Sequence, residues 1–147
     1  MKTLSFHVPG IPAPGGSKRF VGFGKKTGRA ILIDDAGERN KNWRTSVAQC
    51  GNQARGTEPM FEGPLQVRMV FCMPRPKGHF GAKGLKPSAP IAPTTKPDVL
   101  KLARSTEDAL TGIVWLDDAQ TVILNLEKSF VSSGEASGCD ITINALT

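Results

Sequence analysis

Between Pro74 and Pro97 the chain carries six prolines, five Lys/Arg and no Asp or Glu. Proline removes a backbone donor and blocks both helix interiors and central strands. A segment of this composition divides the chain into two foldable parts joined by a long connection. With 147 residues in total, the parts are too small to stand alone, so we expect one domain over 1–147 with a long basic loop at about 74–97. The acid-free charge of the loop suits phosphate contact. A solvated connector with incidental charge is the plainer alternative.

The flanking sequence supplies the elements. LSFHV (4–8) alternates as a strand, and the proline-rich PGIPAPGGSKRF that follows precludes regular structure. RFVGF and RAILI bracket GKKTG as a hairpin, with Gly24 and Gly28 for the turn. Trp43, Val47, Cys50 and Ala54 fall at i, i+4, i+7 and i+11, the apolar stripe of a helix over about 40–54. LQVRMVFCM (65–73) is the strongest strand pattern. Beyond the loop, Val99, Leu102, Ala103, Thr106, Ala109, Leu110 and Ile113 mark a second helix from about Val99 to Thr111. Asp98 stands at its N-cap position and Gly112 at its end. Strands at about 121–131 and 139–146 complete the chain. The fold class is therefore α+β (mixed α/β), a mixed β-sheet packed by two main helices.

Several function classes drop out. No apolar run approaches the ~20 residues of a membrane span. The N-terminus lacks the pattern of a signal peptide, so a cytoplasmic location is expected. Three cysteines at wide spacing, with no C-x-x-C, do not support a zinc or redox motif. With only two histidines, any metal must be held mainly by carboxylate oxygen, which favours Mg²⁺, Mn²⁺ or Ca²⁺. Neither a dinucleotide fingerprint nor a P-loop is present, and no serine sits on a nucleophile elbow.

Charge is unevenly placed. Residues 1–90 hold 15 Lys/Arg against 5 Asp/Glu, whereas 91–147 hold 4 against 8. A basic body with an acidic cluster fits a polyanion surface around a metal site. Asp98 opens the second helix, and Asp117-Asp118 follow that helix after a brief turn. Their convergence would provide the carboxylates that metal-assisted phosphodiester hydrolysis needs. A plain N-cap at Asp98 and a plain exposed turn at Asp117-Asp118 are the structural alternatives.

The segment KPDVLKLARSTEDALTGIVWLDDAQTV resembles the signature of the RusA-type Holliday-junction resolvases, found in bacteriophages and prophages. That pattern reads K-x-D-x-D-N-L, a basic residue, D-A-L, then W-x-D-D-x-Q and a strand. Lys96, Asp98, Leu102, Arg104, Asp108-Ala109-Leu110, Trp115, Asp117-Asp118 and Gln120 fall into register. PGIPAPGGSKRF is similar to the family's opening. The resemblance covers about residues 8–20 and 94–126.

It implies a homodimeric, Mg²⁺-dependent (Mn²⁺ possible) endonuclease that binds four-way DNA junctions in recombination and repair and cuts two strands symmetrically. The catalytic carboxylates carry over to Asp98, Leu100 and Asp118, and the basic residue to Arg104. Leu100 is a departure, since leucine cannot bind metal, and Lys101 replaces an asparagine. Two readings follow: a catalytically impaired branched-DNA-binding protein, or an enzyme in which Glu107 substitutes, with Asp117 as a further ligand. Glu107 as a surface ion pair with Arg104 stays open, as does Asp108 merely orienting Arg104. Trp115 and Leu110 are expected in the core or a dimer interface. The DNA backbone contacts are assigned to Lys18, Arg19, Lys25, Lys26, Arg29, Lys77, Lys83, Lys86, Lys96 and Lys101.

Overall fold

The computed structural model describes residues 2–15, 18–34, 37–132 and 134–147, with 18–21 and 31–34 described as backbone only. The spine of the fold is β4 (Leu65–Met73). Its alternate residues Leu65, Val67, Met69, Phe71 and Met73 are all buried, as the two-residue period of a strand requires when one face is covered. Strand β8 (Gly138–Ala145) pairs antiparallel with β4 and, on its other side, with β1 (Thr3–Pro9). Strand β7 (Thr121–Phe130) pairs with β4 in parallel, Met69 facing Leu126. The mixed sheet thus runs β1-β8-β4-β7, with β7 at an edge.

Two helices cover one face. Helix α1 (Gly37–Arg55) contributes Trp43 and Val47, and α2 (Val99–Leu110) contributes Leu102, Ala103, Ala109 and Leu110. Each of the larger side chains among them, such as Val47, Leu102 and Leu110, stabilises the fold by about 1.5–3 kcal/mol on burial. The helices approach closely at Gly51, where a Cβ would lie 2.7 Å from Leu110 Cδ2. Trp43 Nε1 donates to Thr106 Oγ1 across the helix pair at 3.1 Å. Ser105 Oγ donates to Ala13 O (2.6 Å) and Asn40 Nδ2 to Pro14 O (2.8 Å), so buried polar groups of both helices pin the proline-rich segment after β1. Two helices on a mixed sheet form the expected α+β domain.

Strands β2 (Lys18–Phe23) and β3 (Ala30–Asp34) form the expected hairpin as a separate two-stranded ribbon, with a bulge between Phe20 and Gly22. The connection 74–97 departs from the expectation of a featureless loop. It holds a 3-10 turn at Lys77–His79 and a small hairpin of β5 (Phe80–Gly81) and β6 (Gly84–Leu85). Two-residue strands carry no periodicity, so pattern reading passes over them.

Candidate metal and nucleic-acid site

Helix α2 runs antiparallel to β7, which fixes where each acidic residue stands. At the end of β7, Lys128 Nζ donates to Thr95 O and Pro97 O, both at 2.9 Å. The start of α2 therefore lies over the end of β7. At the other end, Glu107 lies beside Thr121, the first residue of β7, and within electrostatic reach of Asp118.

Asp98 caps α2, its Oδ1 accepting from Lys101 N at 2.8 Å. The N-cap expectation holds. Glu107 stands nine residues further along, about 13 Å of helix rise. Asp98 and Asp118 thus occupy opposite ends of α2, and one chain does not bring them together. The reason is the direction of the return: Thr111–Trp115 turn the chain back at the far end of the helix, and β7 begins there.

Glu107 is half-buried, and its pKa is raised. Burial is the main cause, followed by repulsion from Asp118 and then from Asp108. The nearby Thr121 hydroxyl offsets part of this, yet it makes no hydrogen bond of standard geometry and remains a buried unpaired oxygen. Asp118 is exposed, while Asp117 spends its Oδ1 on Ala119 N at 2.8 Å. Gln120 completes that turn. Its Oε1 accepts from Leu116 N and Asp117 N, and its Nε2 donates to Phe61 O and Gly63 O. The turn is therefore rigidly tied to the body, leaving the Asp118 carboxylate outward.

The outer stripe of α2 carries Leu100, Arg104, Glu107 and Asp108, the i, i+4, i+7, i+8 positions. Leu100 is 69% exposed, so it does not serve the core. Among the described residues, Arg104 pairs with neither Glu107 nor Asp108; the arginine–carboxylate pair present is Arg68–Glu127. Trp115 is fully buried, with Nε1 donating to Thr111 Oγ1 at 3.0 Å, and so belongs to the core.

The oxygen-only donors, the repulsion between Glu107 and Asp118 and the orphaned Thr121 hydroxyl suit a hard divalent cation. Mg²⁺ is held by as few as one or two carboxylates, keeping water and substrate phosphate as its other ligands. Among the described residues, no three His, Cys, Asp or Glu side chains gather into a metal-holding group. Among the described residues, a single chain brings Glu107 and Asp118 to this end of α2 but not Asp98.

Of the predicted DNA contacts, Lys25, Lys26, Arg29, Lys77, Lys83, Lys86, Lys96 and Lys101 are exposed. The side chains of Lys18 and Arg19 lie outside the described ones. Sequence reasoning missed Thr121, although its place directly after the W-x-D-D-x-Q run put it within reach of Asp118.

Comparison with known proteins places the whole chain rather than the site. The family profile described as Endodeoxyribonuclease RusA matches residues 9–144. The chain belongs to the RusA endodeoxyribonuclease family. The match thus takes in both helices, β4, β7 and all but the last residue of β8, well beyond the two motifs that carry the resemblance. A relative in Bacillus subtilis (strain 168), the uncharacterized protein YqaN, is 30% identical over 133 residues, spanning 88% of this chain and 89% of its own length. No helix is long and apolar enough among the described residues to cross a membrane.

Proposed function

We propose that this RusA-family chain is a Mg²⁺-dependent endonuclease that cuts four-way DNA junctions symmetrically as a homodimer. The carrying observation is the Glu107–Asp118 pair at the end of α2, where two acids lie within electrostatic reach of each other beside an unpaired hydroxyl. Glu107 and Asp118 would hold the ion, which when bound supplies an activated water and neutralises charge on the phosphate. Arg104, exposed on the same stripe, offers a planar fork to phosphate oxygens but no proton near neutral pH. Lys96 and Lys101 flank Asp98 and bind the DNA backbone.

The homodimer answers the separation of Asp98 from Asp118. Edge strand β7 exposes Val122, Ile123 and Leu124 at 61%, 43% and 38%. An exposed apolar edge is a template for pairing with another chain. Pairing β7 with its copy about a two-fold axis is antiparallel and reverses the direction of the second α2. The partner's Asp98 then approaches the Glu107–Asp118 end, and each chain completes the other's acid set.

The rival reading is a protein that binds branched DNA without cutting it, favoured by Leu100 standing where the family pattern has aspartate. A synthetic four-way junction with Mg²⁺ or with chelator separates the two. We expect paired symmetric nicks with Mg²⁺ and none from Asp118→Asn, which should still bind the junction. Binding without nicks by the parental chain, in either Mg²⁺ or Mn²⁺, would establish the rival.

A further inference from the structure

The basic connection is an anchored arm. Arg75 holds its base: the guanidinium lies 4.3 Å above the Phe130 ring, and Nη1 donates to Pro90 O at 2.8 Å. The His79 ring packs edge-on against the same Phe130 at 5.3 Å. Lys86 N donates to His79 O at 2.9 Å, closing the hairpin above this base. Beyond it, Phe80 and Leu85 face each other as a cross-strand pair and are 42% and 51% exposed. Lys83 caps the two-residue turn, and Lys77 and Lys86 flank the pair. The arm leaves the sheet at the end of β4, the same end at which Lys96, Asp98 and Lys128 lie.

An exposed aromatic–aliphatic pair on an anchored ribbon calls for an occupant. No acidic residue occurs from 63 to 97, so a second copy of this arm would bring like charges together. The lysines call for an anion, and the apolar pair for a flat unpolar surface within a side chain's reach of it. Unstacked base pairs framed by phosphates meet both needs, and apolar wedges of this kind enter base steps elsewhere.

We propose that the arm is a pin that enters the opening of a branched DNA and stacks Phe80, backed by Leu85, on the base pairs exposed there. The inference rests on the reading of the chain as a branched-DNA nuclease and adds the element that would recognise the branch.

The test compares the parental chain with Phe80→Ala, Phe80→Ala/Leu85→Ala and Phe80→Trp, in chelator to prevent cutting. Dissociation constants are measured for a four-way junction and for a linear duplex of equal length. The junction carries 2-aminopurine beside the branch point. We expect the alanine variants to lose about tenfold in junction affinity, with duplex affinity within twofold of parental and the fluorescence change on binding abolished. Phe80→Trp should restore both. Alanine variants that keep the parental junction-to-duplex ratio and fluorescence change would overturn the pin while leaving the nuclease reading intact. A parental chain that binds duplex as tightly as junction would overturn that reading and the pin together. Loss of self-association in Phe80→Ala, with the ratio unchanged, would assign the pair to a contact between copies instead.

Discussion

Glu107→Gln should make the metal-free protein more stable and the metal-dependent reaction fail. The carboxylate is half-buried and repelled by Asp118 and by Asp108, and all three effects disfavour its ionised form. A raised pKa in the folded state means that stability is fullest below the ordinary glutamate range and falls as pH rises through the folded value. The amide removes that loss. Its advantage should therefore be absent near pH 4, grow as pH rises, and level off once Glu107 is fully ionised. Repulsion between partly solvated carboxylates is of order 1 kcal/mol, and exposure on one side keeps the gain at or below that. For a chain of this length it corresponds to a rise of roughly 2–4 °C in melting temperature. The order reverses with Mg²⁺. An ion at ten times its dissociation constant stabilises the parental fold by about 1.4 kcal/mol, and the variant should gain little. Thermal unfolding across pH, with Mg²⁺ and with chelator, measures both. An amide variant that melts below the parental chain at neutral pH without metal, or that keeps the full Mg²⁺ shift, would refute the reasoning.

Three further outcomes follow from the same geometry. Asp118→Asn should abolish cleavage while leaving junction binding within a few-fold, by gel assay and by titration. Val122→Lys/Leu124→Lys places charge on the free edge of β7 and should convert dimer to monomer in sedimentation, with Mg²⁺-dependent cleavage lost in parallel. Gly138→Ala should destabilise the chain by about 1–3 kcal/mol in denaturant unfolding, because its Cβ would lie 2.5 Å from Val8 O and 2.7 Å from His7 Cε1.

Most of the fold was legible because its elements repeat with the right period. The alternation of Leu65 to Met73 and the stripe from Leu102 to Leu110 both predicted the buried faces. The N-cap at Asp98 was legible too, because capping is local chemistry. What escaped was direction. A sequence shows that Asp98 precedes α2 and Asp118 follows it, but only the return path decides whether the two meet. The turn after Leu110 feeds β7 from the far end, so they do not meet within one chain. The hairpin inside 74–97 escaped for another reason: it is held by Arg75, His79 and Phe130, and Phe130 lies far downstream in sequence. The charge pattern was readable from the start, whereas the apolar pair that the charge surrounds was not.

The strand order carries a consequence for how the molecule is made. β8 sits between β1 and β4, and Thr3 faces Asn144 across nearly the whole length of the chain. During synthesis β1 and β4 both emerge before β8 and share no neighbour until it follows. Sheets built from such distant partners assemble slowly and expose sticky edges meanwhile. Removing Gly138–Ala145 would take out an interior strand, so cleavage of the chain ahead of β8 should disable the protein as completely as a lesion in α2.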